Sequence, residues 1–517
     1  MPAPGSPSAP ITAIINLDVP GPVISRHIYG HFAEHLGRCI YGGFYVGEDS
    51  DLPNEGGIRL DVVEALRGLR IPNLRWPGGC FADEYHWRDG VGPRQERPRM
   101  VNSHWGDVVE DNSFGTHEFM ALCELLGAEP YVNGNVGSGT VREMSDWVEY
   151  LTRGDDSPMA ALRREHGRDE PWQVKFWGLG NEPWGCGGNM TASHYAEEAR
   201  RYATYCRDHG ENRLYRIAAG ANSDDYAWTE TLMKALNPLG GCGRDPRGLY
   251  QAVSVHYYTI PGTWQDKGSA TEFTEQDYYR TLVKAAYTDE LLRGHSNVMD
   301  CYDPEKKVGL VLDEWGTWWN VEEGTNPGFL YQQNTLRDAL VASTHFDIFH
   351  AHADRLVMAN IAQTVNVLQA MILTDINTDS RELVLTPTYH VFEMNAGHQD
   401  AASLRVDFPG GLPVRAVDGE ELTTVSASAS SKDGRVLISL SNLDAGEPTT
   451  VDLDLRGGTV SDVRTRILTA GELDAHNAPG RGAQVQPVVH EQVTATERGL
   501  RVELPAHSFV TVSAAVA

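Results

Sequence analysis

Between residues 26 and 384, short runs rich in β-branched and aromatic residues alternate with longer stretches whose apolar positions recur at helical spacing. Eight runs read as strands: HIYG (27–30), PNLRW (72–76), PYVNGN (130–135), VKFWGLG (174–180), RIAAG (216–220), AVSVHYY (252–258), VGLVLD (308–313) and RLVMANI (355–361). The stretches between them read as helices. One example is TASHYAEEARRYATYCRDHG, with a Thr to cap its start and Gly210 to end it. Eight βα units over roughly 350 residues predict an α/β fold, a (β/α)8 TIM barrel with insertions.

After residue 385 the period falls to two. VLISLSNLD (436–444), TTVDLDLRG (449–457) and SFVTVSAAV (508–516), separated by Gly, Asp and Pro turns, predict an all-β sandwich over 385–517, of the jelly-roll kind. The run ITAIINLD, in residues 11–25, precedes the barrel and needs partners for its backbone groups, so it is expected to join that sandwich. Residues 1–10, MPAPGSPSAP, have neither a basic segment nor an apolar one. They read as a disordered start rather than a secretion signal.

Composition narrows the function classes. A chain of 517 residues is expected to form two domains. Lys and Arg total 43 against 71 Asp and Glu, a net charge of −28, which disfavours nucleic acid and anionic lipid as partners. No apolar run is long enough to span a bilayer. The seven cysteines are odd in number, widely spaced and without a CxxC, which predicts reduced thiols in the cytoplasm and argues against disulfides or a zinc knuckle. All twelve tryptophans lie between Trp76 and Trp319, in the barrel, where flat side chains could stack on a sugar.

Barrel chemistry sits at the C-terminal ends of the strands. Strand four ends in GLGNEPWG, which places Asn181 and Glu182 at the mouth, and strand seven ends in LVLDEWGTWW, which places Asp313 and Glu314 there. Two facing carboxyl groups are what glycosidic cleavage requires: one protonated to donate to the leaving oxygen, the other ionised to attack. In a retaining enzyme they stand about 5–5.5 Å apart. Each Glu follows an apolar strand and precedes an aromatic-rich loop, an expensive setting for an idle charge. Strand alternation puts His256 and Tyr258 on one side of strand six and Tyr257 on the other. A phenol could then donate to the nucleophile and an imidazole orient the acid.

These residues bring the chain close to a known family. It resembles the α-L-arabinofuranosidases of glycoside hydrolase family 51 through HFAEHLG (31–37), LRWPGGCFADEYHWRDGVGP (74–93), EDNSFGTHEF (110–119), GLGNEP (178–183), VHYY (255–258), LDEWGTWW (312–319) and NIAQTVNVLQ (360–369). The resemblance implies retention, with Glu182 as acid/base and Glu314 as nucleophile. It further implies that Glu34, Asn181 and Gln363 bind furanose hydroxyls, that Tyr258 is the phenol beside the nucleophile, and that Arg75 supports the site. Trp318 and Trp105 would shape the subsites. Cys80 stands where many relatives place Asn, so its thiol is expected to be a weaker sugar partner. Homo-oligomers, commonly hexamers, are implied as well.

Competing readings fare less well. A metal-dependent hydrolase needs His and Asp gathered at strand ends, but His31 and His35 read as a loop after strand one, and His350, His352 and Asp354 precede strand eight. No metal or cofactor is expected. A sugar-binding protein without catalysis leaves Glu182 and Glu314 unexplained. A β-xylosidase or endo-β-glucanase of the same mechanism is the nearer alternative. With no export signal, short imported oligosaccharides are favoured over polymers.

Overall fold

The computed structural model describes residues 9–236, 248–374 and 382–517. The disordered start expected for residues 1–10 falls, for its first eight residues, outside the described residues, as does the free-thiol reading of Cys242.

Eight parallel strands close into a barrel in chain order: Gly30–Phe32, Asn73–Trp76, Glu129–Gly134, Phe176–Leu179, Tyr215–Asn222, Ala252–Thr259, Gly309–Thr317 and Leu356–Ile361, here barrel strands one to eight. Strands two, four and seven are buried at every position. Both faces are covered, as a parallel sheet requires. Inside, Tyr131, Phe176, Ile217, Ala252, Val311 and Met358 meet as a plug across six strands. Helices cover the outside, and their starts are set locally. The hydroxyls of Thr140, Ser157, Thr191 and Thr274 each accept the backbone N–H three residues on, worth about 1 kcal/mol apiece.

Two local expectations need correction. HIYG is not strand one: the Ser25 hydroxyl accepts the His27 N–H and caps a single 3-10 turn, Arg26–Tyr29, so the strand begins at Gly30. His31 therefore lies within strand one, not in the loop that follows, whereas His35 does lie in the loop. The helix expected to run to Gly210 ends at Tyr205. The polar segment after it is tied down instead. Asn212 makes two bonds to the Val174 backbone, and Asp208 accepts the Leu214 N–H.

The second unit is an all-β sandwich built from one ten-stranded sheet. Strand Ile11–Val23 belongs to it, antiparallel to Ala402–Asp407 on one side and parallel to Thr449–Arg456 on the other. Its Ala13, Ile15 and Leu17 alternate into a core with Leu404, Ile438, Leu453 and Val512. The sandwich is docked on the barrel through helix Leu336–Ala351, whose buried Asp347 accepts hydroxyls from Ser426 and Ser428 at 2.6 Å each. Helix Pro387–Asn395 precedes every sandwich strand except Ile11–Val23 and packs Phe392 against Phe346 and Trp315 of the barrel. Among the described residues no helix is long and apolar enough to cross a membrane.

Candidate active site

A cavity of about 520 Å³ opens at the C-terminal ends of the barrel strands, and Glu34, Cys80, Trp105, Asn181, Glu182, His256, Tyr258, Glu314, Trp318 and Gln363 all line it. Arg75 does not line it; it is buried and bonds Glu314 and Asn181, which do. Backbone approaches the carboxylates closely here. A Cβ on Gly78 would meet the Glu34 side chain at 2.5 Å, and one on Gly79 would meet Glu314 Oε1 at 2.9 Å, so the Pro77-Gly78-Gly79 run leaves room for both acids. Glu182 has φ 39°, a left-handed conformation that side-chain-bearing residues rarely adopt.

Strand seven departs from regular pairing. Against strand six, Ser254 pairs with Val311 but His256 pairs with Glu314, so strand seven carries one extra residue between those points. In a regular strand Asp313 and Glu314 would face opposite ways. The bulge turns both inward, as bulges beside active sites do. Both then reach Arg75, whose Nη1 donates to Glu314 Oε1 at 2.9 Å and whose Nε lies 3.6 Å from Asp313 Oδ2.

Donors surround the acids on every side. Tyr258 Oη donates to Glu314 Oε2 at 2.7 Å, and Tyr131 Oη to Asp313 Oδ2 at 2.7 Å. Arg75 Nη2 donates to Asn181 Oδ1 at 2.6 Å. His256 Nδ1 lies 2.8 Å from Glu182 Oε1, and its Nε2 lies 3.1 Å from Asp313 Oδ1. One oxygen of Glu182 and one of Glu314 stand within 4.8 Å of each other, compatible with the close spacing of retaining enzymes rather than the roughly 6.5–9.5 Å of inverting ones.

Electrostatics separate the carboxyl groups. Burial raises the pKa of Glu182 and the charge of Glu314 adds to this, outweighing the bond with His256. Burial also opposes ionisation of Asp313, but the Arg75 charge and the His256 and Tyr131 bonds hold it down at about 2. His256 is disfavoured as a cation by burial, yet the charge of Glu314 and the bonds to Asp313 and Glu182 lift it to about 10. Glu34 is pushed up to about 7 by burial and by Glu314, against donors from Phe81 N–H, Trp105 and Gln363.

The remaining expected residues converge on Glu34. Its Oε1 accepts Trp105 Nε1 at 2.9 Å, and its Oε2 accepts Gln363 Nε2 at 2.9 Å. Trp318 packs edge-on to Tyr258 at 5.0 Å and to Trp264, which is 61% exposed at the rim. The tryptophan expectation needs correction. Trp105, Trp184, Trp264 and Trp318 line the cavity, but Trp76, Trp87, Trp177, Trp315 and Trp319 are buried in the core.

The cysteine expectation also fails. Cys80 and Cys186 form a disulfide beside the acids, with Cα atoms 5.5 Å apart. The loops after strands two and four meet over the barrel, so residues 106 apart in sequence become neighbours. The sulfur of Cys80 is therefore a disulfide sulfur and not the thiol anticipated as a sugar partner. Cys39, Cys123, Cys206 and Cys301 are free.

Sequence reasoning placed Asp313 at the mouth but gave it no role, and it passed over Asp83. Buried Asp83 accepts the N–H groups of Val136, Gly137 and Asn181 at 2.7–2.9 Å, fixing the loops after strands three and four. Burial raises its pKa to about 7 against those donors. The signal was its position within the CFADEYHW motif.

Comparison with known proteins agrees with this geometry. Residues 65–266 match the family model described as alpha-L-arabinofuranosidase 1 domain, and residues 313–508 match alpha-L-arabinofuranosidase C-terminal domain. The intracellular exo-alpha-L-arabinofuranosidase of Bacteroides ovatus is 52% identical over 503 residues, 97% of this chain and 95% of its own. The crystal structure of the GH51 arabinofuranosidase from Xanthomonas axonopodis pv. citri superposes with a TM-score of 0.93 at 48% identity, covering 98% of this chain and 99% of that one. An alpha-L-arabinofuranosidase from Thermotoga maritima, solved as an arabinose complex, gives 0.83 at 30% identity over 97% and 99%.

Proposed function

The chain belongs to the α-L-arabinofuranosidases of glycoside hydrolase family 51 and is an exo-acting, retaining enzyme, and from that premise we propose that Glu314 is its nucleophile and Glu182 its general acid/base. The carrying observation is the pair itself: half-buried Glu182 and buried Glu314, with carboxyl oxygens within 4.8 Å of each other, in different surroundings. Glu314, held by Arg75 and Tyr258, attacks the anomeric carbon while Glu182 protonates the departing glycosidic oxygen. Water then enters. Glu182 takes its proton, the hydroxide displaces Glu314, and arabinose leaves with its anomeric configuration retained.

In this reading Glu34, Asn181 and Gln363 bind the furanose hydroxyls, while Trp105 and Trp318 bound the subsites on either side of the scissile bond. Cys80 contributes wall rather than a hydrogen bond. The β-xylosidase and endo-β-glucanase alternative is not favoured. Short arabinose-containing oligosaccharides, a cytoplasmic location, supported by the word intracellular in the name of the Bacteroides ovatus relative, and a homo-oligomeric assembly complete the proposal. Matched chromogenic α-L-arabinofuranoside, β-D-xyloside and β-glucan substrates test it: kcat/KM should be highest on the arabinofuranoside by at least about tenfold. Equal or better turnover of the xyloside would sink the substrate reading.

A second expectation concerns pH. Because the charge of Glu314 raises the pKa of Glu182, Glu314→Gln, which keeps the shape and deletes the charge, should lower the titration of Glu182. Carboxyl titration by NMR in that inactive protein checks it. An unchanged Glu182 would mean the two groups do not act as a pair.

A further inference from the structure

Asp313 takes no part in the displacement above, yet it is buried beside the nucleophile with partners on three other strands: Arg75, Tyr131 and His256. We propose that Asp313 is a positioning residue for the general acid, acting through His256 to keep the proton of the cluster on the Glu182 oxygen that meets the substrate. The inference rests on the reading of Glu182 as the acid.

The argument begins with hydrogen-bond inventory. Each ring nitrogen of His256 faces a carboxyl oxygen, Nδ1 that of Glu182 and Nε2 that of Asp313. An imidazolium donates at both, whereas a neutral ring donates at one and must accept at the other. Asp313, receiving the Tyr131 hydroxyl and lying beside the Arg75 guanidinium, is an acceptor, so Nε2 carries hydrogen. Two states remain for Nδ1. If it is bare, it accepts the Glu182 proton and draws it away from the substrate. If it is protonated, it donates to Oε1 and leaves the acidic proton on Oε2, whose neighbour is the Cys186 sulfur at 3.7 Å.

The negative charge of Asp313 selects the second state. With it in place, the cations Arg75 and His256 balance Asp313 and Glu314, and Glu182 keeps its proton because a further buried anion would be uncompensated. Without it, one proton must be shared between His256 and Glu182. The other carboxylate facing His256 is Glu314, 3.6 Å from Nδ1, whose charge also favours the imidazolium but from the opposite side of the ring. It does not replace the charge lost beside Nε2.

The test compares Asp313→Asn with wild type on two substrates: a dinitrophenyl α-L-arabinofuranoside, whose leaving group departs without a proton, and an arabinose-containing disaccharide, whose leaving group needs one. For Asp313→Asn, kcat/KM on the disaccharide should fall by about 10²-fold, the dinitrophenyl value should stay within roughly threefold, and the alkaline limb of the pH profile should move about one unit toward acid. Equal losses on both substrates, or an unmoved limb, would overturn the proposal. Glu182→Ala is the control. If its loss is also equal on both substrates, the assignment of Glu182 has failed, whereas a selective loss there and not in Asp313→Asn removes only the role of Asp313. Should Asp313→Asn not fold, ¹⁵N-histidine NMR of the wild-type enzyme at pH 7–8 decides: a His256 ring protonated at both nitrogens supports the proposal, and a neutral ring overturns it.

Discussion

Glu182→Ala and Glu314→Ala should each remain folded and lose nearly all turnover, with azide restoring the two in opposite ways. Glu314→Ala cannot form the covalent intermediate, so azide entering the vacated space attacks from the same side as the missing carboxylate and yields an inverted glycosyl azide. Glu182→Ala still forms the intermediate from substrates with good leaving groups but lacks the base that activates water. Azide needs no such base, and it releases a glycosyl azide of retained configuration. The loss for Glu182→Ala should be about 10²–10⁴-fold, the range of general acid–base catalysis, and larger for substrates with poor leaving groups. Product configuration by NMR is the readout. The opposite pattern would exchange the two roles, and no rescue in either variant would remove both assignments.

The second large effect belongs to Arg75. This side chain is 1% exposed and lies against Glu314, Asp313 and Asn181 together. Arg75→Met leaves two neighbouring buried carboxylates without their guanidinium, the kind of change that costs about 3–5 kcal/mol. Arg75→Lys should do less harm to stability but still reduce kcat/KM, since an ammonium cannot present the planar fork whose two terminal nitrogens bond Glu314 and Asn181. Chemical unfolding followed with kcat/KM on an arabinofuranoside measures both. A stable, active Arg75→Met protein would show that the cluster does not depend on the cation.

Much of this was legible because burial leaves a period. Val451, Leu453 and Leu455 alternate through one sandwich strand, as Ala13, Ile15 and Leu17 do far away in sequence; that Ile11–Val23 joins the sandwich was expected because its backbone groups need partners, whereas its pairing with Thr449–Arg456 was not. Glu182 and Glu314 were visible because an acid after an apolar strand is conspicuous. Asp313 was not assigned a role, since its inward direction depends on one extra residue in strand seven, and a bulge leaves no mark on hydrophobic alternation. The Cys80–Cys186 link depends on two loops meeting in space, which residue spacing cannot report. Composition alone does not distinguish Trp315 in the core from Trp318 at the cavity; only the family resemblance singled out Trp105 and Trp318. At HIYG, a helical turn and a short strand compete over four residues, too few for periodicity to decide.

The placement of strand Ile11–Val23 carries a consequence for biosynthesis. Both of its sheet neighbours are synthesised after the whole barrel, so the barrel is topologically an insert inside the sandwich. Until Ala402–Asp407 and Thr449–Arg456 emerge, the earliest strand has no partner on either edge and is exposed to pairing with other chains. No single cut frees the sandwich whole: any break between the two units leaves its first strand attached to the barrel. A rearranged gene joining the strand directly to residue 402 is the route to an isolated sandwich.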